Sequence, residues 1–169
     1  MTGTIEKQRL ENLLKYEILD TPPDGYFDEI TALAAKIFNV PIAIISLVDN
    51  DRIWFKSAYG IEAEEIPRSP GLCSSAILSD ELYIVVDARK DPRTMANPLV
   101  AGALGLQFYA AAPLKTIDGY NLGTLCIIDK NPRTLDPKEV SMLMQLARIA
   151  MGQFELKLQS RLLVKELKQ

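Results

Sequence analysis

The chain has 169 residues, 48% hydrophobic and 24% charged, with a net charge of −3 at pH 7. That fits one soluble domain with a sizeable core and offers no dense basic block for nucleic acid. It holds no histidine, so Ser-His and Cys-His nucleophile pairs, histidine-ligated zinc or haem, and a phosphoacceptor histidine are excluded within these residues.

Ile5–Leu19 reads as a helix with Leu10, Leu13, Leu14 and Ile18 as its apolar stripe. Asp20-Thr21-Pro22-Pro23-Asp24 stops it, because proline cannot continue the backbone ladder. A second helix spans Tyr26–Phe38, with Phe27, Ile30, Leu33, Ala34 and Ile37 at helical spacing. Pro41 then opens a strand. In Ile42–Val48, and again in Leu122–Ile128, apolar residues occupy both alternation phases, which predicts central strands covered on both faces. Asp49-Asn50-Asp51 turns the chain into a partner strand, Arg52–Tyr59. The acidic run Glu62, Glu64, Glu65 reads as a solvated loop.

Gly60–Gly105 is the irregular part. Ser69-Pro70 has the form of an N-cap followed by proline at the first helical position, starting a short helix over Leu72–Leu78. Glu81–Val86 is a strand by composition. Turn formers crowd Asp87–Asn97, and Asn97-Pro98 repeats the cap-plus-proline pattern, starting a second short helix through Ala103. These pieces are expected to fold as a lid over one sheet face, leaving room for a pocket. Asp118-Gly119 is a hairpin turn between the last two strands. Gly123 lies inside the final strand, the mark of a bulge or of close approach by a ligand or backbone.

Asp136-Pro137-Lys138-Glu139 is a capping box that opens a terminal helix of about thirty residues, roughly 45 Å long. Val140, Leu143, Ala147, Met151, Phe154 and Leu158 form one apolar face, and Met142, Leu146, Ile149, Leu156, Leu163 and Leu167 the opposite one. A sheet buries one face only. The other needs the N-terminal helix or a second subunit, so Met142, Leu146, Ile149, Leu156 and Leu163 are the candidate dimer interface. The longest apolar run, Val40–Val48, is far short of the roughly 20 residues of a membrane span, and the N-terminus has no signal-peptide pattern. Two widely separated cysteines do not make a disulfide framework, which points to the reducing cytoplasm.

The blocks RLENLLKYEILDTPP (Arg9–Pro23), FDEITALAAKIFNVPIAIISLVD (Phe27–Asp49), DRIWFKSAYGI (Asp51–Ile61), VVDARKDPRTMANPLV (Val85–Val100) and FYAAAPLKTIDGYNLGTLCIID (Phe108–Asp129) resemble, in order and spacing, a subgroup of the GAF domains of bacterial signalling proteins. The resemblance covers nearly the whole chain. It implies an α+β fold: an antiparallel sheet of five or six strands with terminal helices on one face and a ligand-pocket lid on the other. It further implies a sensory domain over residues 5–160 and an exit helix over residues 161–169. That helix would lead to a covalently linked output domain of the histidine kinase or diguanylate cyclase type. The implied partners are an unknown small-molecule ligand and a second copy of the chain, with no nucleic acid and no membrane. Bilin-binding relatives carry a Cys-His pair where this chain has Cys73-Ser74, and many relatives carry Cys-x-His where Ser75 stands. The Asn-Lys…Phe…Asp-Glu pattern of cyclic-nucleotide binders has no convincing copy. Bilin, haem and cyclic nucleotide are therefore disfavoured; no cofactor, metal or catalytic residue is expected.

The candidate ligand-binding residues are Trp54, Cys73, Asp87, Arg93, Asn97, Phe108 and Tyr109. Cys73, near a helix start, is the thiol that a helix dipole can activate, though a free cysteine more often packs as a small hydrophobe. Cys126, between Leu125 and Ile127, reads as core and as badly placed to resolve an oxidised Cys73. Asp87, Asp91, Arg93 and Asn97 either orient a polar ligand or, more simply, hold turns and an internal ion pair. Trp54 can face a pocket, a dimer surface or the core. Phe108 and Tyr109 point to opposite sheet faces, so one of them lines the pocket. A non-catalytic sensor is the leading reading. A thiol-based relative of free methionine sulfoxide reductases and a ligand-free dimerisation module are the alternatives.

Overall fold

The computed structural model describes residues 3–69, 72–95, 97, 100, 102 and 104–168. The double-phase apolar patterns decide its architecture. β1 (Ile42–Val48) and β6 (Asn121–Asp129) are buried almost end to end and pair antiparallel at the centre of the sheet. β2 (Arg52–Tyr59) flanks β1, and β5 (Phe108–Lys115) flanks β6. The edges are short: β3 (Glu65–Pro67) and β4 (Tyr83–Val85). Among the described residues the sheet runs β3-β2-β1-β6-β5-β4, antiparallel throughout. β3 falls where the sequence predicts loop. Its acidic and proline residues are poor strand formers, and its pairing is imposed by β2, with Ile53 opposite Ile66.

Alternation in the strands feeds two cores. α1 (Gly3–Lys15), α2 (Gly25–Phe38) and α4 (Pro137–Leu167) cover one face, meeting Ala43, Ile45, Leu47, Phe108, Ala110, Leu125 and Ile127. α3 (Leu72–Ala76) covers the other, over Ile42, Ile44, Tyr109, Ala111, Cys126 and Ile128. The expected second short helix, through Ala103, falls mostly outside the described residues.

α1 stops at Lys15, short of the expected Leu19, and Glu17 and Asp20 then take positive φ. Leu14 is left exposed. The residue that α1 buries instead is Arg9, 1% exposed, whose guanidinium donates to the carbonyls of Val48, Asn121 and Leu122 at the strand ends. A bulge between Ile45 and Ser46 leaves Lys56 without a partner on β1. The Lys56 ammonium donates to Thr21 Oγ1 and to the Pro22 carbonyl, and burial lowers its pKa.

α4 opens with the expected capping box, Asp136 and Glu139 bonding reciprocally. Its 31 residues run unbroken through the expected boundary at 160/161. Leu143, Ala147, Ala150, Met151, Phe154 and Leu158 are buried, and Phe154 stacks on Phe27 at 4.4 Å. Two expected interface residues go to this core: Leu146 is 8% exposed, and Met142 packs against the same cluster. The buried stripe is wider than a two-residue seam because α4 lies over a sheet, not against one helix. Ile149, Leu156 and Leu163 remain exposed.

Candidate functional site

Two polar residues interrupt the apolar lid face of the central strands. Ser46 and Thr124 lie opposite one another on β1 and β6, hydroxyl to hydroxyl at 3.0 Å. Both also donate to Cys73 Sγ, which α3 lowers onto them, at 3.4 and 3.5 Å. Tyr109 Oη reaches the same sulfur from β5 at 2.9 Å. Cys126 shares this layer. The neighbouring Cys126 side chain is the largest influence holding the Cys73 thiol below its ordinary pKa, ahead of the opposing effect of burial. The same pairing, with burial, pushes Cys126 up. Burial above all raises Tyr109. Cys126, expected to be core and badly placed to resolve an oxidised Cys73, is buried in the same lid-side layer as Cys73.

The outer side of α3 walls a cleft of about 810 Å³. Leu72, Ser74 and Ser75 form that wall. Asn50 and Asp51 of the β1–β2 turn, Pro67 at the end of β3, Arg68 and Ser69 after it, and Pro92, Arg93 and Asn97 complete it. Arg68 is the structural centre of this rim. Its guanidinium donates to Glu6 at 2.6 Å, to the Asp49 carbonyl at 3.0 Å and to Ser74 Oγ at 3.2 Å, joining α1, the turn and α3. Glu6 also accepts from Arg9, and that bond first, with Arg68 contributing, holds its carboxyl at about 2. Arg93 pairs with Asp91 at 2.7 Å and lies 4.7 Å over the Tyr83 ring. Tyr83 in turn meets Tyr109 edge-on at 6.1 Å. A contact chain therefore runs from the cleft to the buried sulfur.

The candidate residues are split among several places. Arg93 and Asn97 line the cleft, while Cys73 and Tyr109 lie beneath its wall. Trp54 and Phe108 belong to the opposite, helix-side core, so Tyr109 is the one of the 108–109 pair that faces the lid. Asp87 accepts from the Arg89 backbone and pairs with its side chain, a turn role. Arg68, Ser46 and Thr124 were not singled out from the sequence. The sequence signal for the last two is a hydroxyl residue inside a strand that is otherwise apolar in both phases. No grouping of His, Cys, Asp or Glu able to hold a metal occurs among the described residues, and no described helix is long and apolar enough to cross a membrane.

The GAF-domain family model matches residues 22–153. The chain belongs to the GAF family. A cyclic di-GMP phosphodiesterase of Pseudomonas aeruginosa is 43% identical over 136 residues, covering 80% of this chain but 23% of that protein. This GAF chain thus spans about a quarter of the length of the curated relative it matches. Among solved structures, free methionine-R-sulfoxide reductase from Neisseria meningitidis superposes with a TM-score of 0.66 at 19% identity, covering 95% of each chain. The GAF domain of an Acinetobacter phosphoenolpyruvate-protein phosphotransferase gives 0.63 at 17% identity, covering 98% of this chain and 99% of that one. The PixJ GAF domain of Thermosynechococcus elongatus gives 0.67 at 12% identity, covering 99% and 97%. These three likenesses establish the GAF fold.

Proposed function

We propose that the chain is a non-catalytic sensory or regulatory GAF domain of a bacterial signal transduction protein. It takes a small polar ligand in the cleft and dimerises through its terminal helices. The observation that carries this reading is the cleft itself, a ligand-sized space walled by a helix of five residues. A single helical turn is easily displaced, so a ligand that binds one position of α3 better than another shifts its population. The rim offers guanidinium, hydroxyl and amide donors, the chemistry for a carboxylate or carbonyl-rich ligand. Likeness to a cyclic di-GMP phosphodiesterase, over only a quarter of that protein, supports an output domain concerned with cyclic di-GMP turnover. Two free thiols fit a cytoplasmic setting.

Native mass spectrometry of gently purified protein tests the ligand. The expected result is a retained small molecule that is lost in Arg93→Ala. A clean apo mass, with no melting shift across a metabolite panel, would leave the ligand-free dimerisation module instead. A second reading, a thiol-dependent relative of free methionine sulfoxide reductases, is favoured by the burial of Cys126 and Cys73 in one lid-side layer. Methionine sulfoxide turnover with a thiol reductant, abolished by Cys73→Ser, would replace the non-catalytic reading.

A further inference from the structure

The chain's two cysteines come from α3 and β6, elements far apart in sequence, and both are free and buried. Burial alone does not require them to meet. Here they share one apolar layer, α3 packs directly on β6, and the Cys73 sulfur lies 3.5 Å from Thr124 Oγ1, two residues from Cys126 on the same face of β6. Three hydroxyls, from Ser46, Thr124 and Tyr109, converge on that sulfur as well. A structural cysteine packs as a small hydrophobe and needs none of these partners. A sulfur so surrounded is prepared to carry negative charge, the form that attacks electrophiles.

We propose that Cys73 and Cys126 are a redox modification site, at which a hydroperoxide converts the two thiols into a disulfide that fastens α3 to β6. The Cys73 thiolate attacks one peroxide oxygen. A sulfur–oxygen bond forms, the oxygen–oxygen bond breaks, and the departing oxygen takes a proton from water to leave as water or an alcohol. Cys73 is then a sulfenic acid. The Cys126 sulfur attacks the Cys73 sulfur; the sulfur–sulfur bond forms, the sulfur–oxygen bond breaks, and hydroxide departs as water with the Cys126 proton. The two thiols lose two electrons, which the peroxide gains, and a dithiol reductant reverses the change. Access needs little motion, because Leu72 and Ser74, on either side of Cys73, already face the cleft. Once formed, the bond would pin the cleft wall to the sheet and hold α3 in one of its positions.

The test treats the full chain with hydrogen peroxide and counts thiols after denaturation. The expected result is a fall from two maleimide-reactive thiols per chain to none, with a loss of two hydrogens from the intact mass. Dithiothreitol restores both, and a non-reducing digest joins the Cys73 and Cys126 peptides. Oxidation that stops at oxygen adducts overturns the proposal. So do thiols that stay reduced in folded protein under peroxide that fully oxidises free cysteine. A disulfide that forms with methionine sulfoxide but not with peroxide also overturns it, in favour of the reductase reading.

Discussion

Gly123 passes the β1 backbone so closely that a Cβ there would lie well inside the Ser46 carbonyl oxygen. Gly123→Ala must therefore push β6 off β1, beneath both cores at once. We expect a loss of roughly 3 kcal/mol or more, read by urea unfolding. Glu6 gives a second prediction, in pH. Its carboxyl, held at about 2 against an ordinary 4.5, contributes stability that is fully present above about pH 4.5 and is lost as pH falls toward about 2. The unmodified chain should exceed Glu6→Gln by up to about 3 kcal/mol at neutral pH. The difference should vanish at the acid end; an equal gap at both ends would mean that the pair with Arg9 does not act through charge. Gly123 was legible in the sequence as a strand glycine marking either a bulge or a close approach, and the approach of the Ser46 backbone is what the structure shows. The layer shared by Cys73 and Cys126 was not legible. Leu125 and Ile127 flank Cys126 in sequence but point to the other face, so they say nothing of what Cys126 touches across the layer.

Local signals placed β1, β2 and the capped start of α4 well, since each rests on residues adjacent along the chain. β3 was missed because what makes it a strand is its partner, Arg52–Trp54. The face of α4 was half legible: periodicity identifies an apolar stripe but not its width, which the sheet beneath it sets. The cap itself is testable. Asp136→Ala removes the acceptor for the Glu139 backbone N–H and should lower stability by about 1 kcal/mol. An effect well below that would mean that the tertiary anchoring of Leu143 and Ala147 fixes the helix start unaided.

At the scale of the whole molecule, Ile149 and Leu156 on α4 are 44% and 62% exposed, and Leu162, Leu163, Val164 and Leu167 continue the apolar surface toward the end of the helix. Sheet and α1 leave these groups uncovered, and a second copy in parallel would remove them from water at about 25 cal/mol per Å². Sedimentation should find a dimer that Ile149→Glu and Leu156→Glu weaken at least about tenfold, or about 1.4 kcal/mol, with unchanged circular dichroism. A monomer at high concentration in the unmodified chain would end this account.

The Arg9–Glu6–Arg68–Ser74 chain of charge and hydrogen bonds bears on the direction in which an event in the cleft travels. A ligand anion that drew Arg68 toward itself would leave Glu6 with one cation and loosen the clasp that Arg9 keeps on the ends of β1 and β6. The first helix, which carries both Glu6 and Arg9, would register occupancy directly. A lever of this kind has two arms, and a longer protein that carried the domain between neighbours would have the mechanical means to inform the one before it as well as the one after.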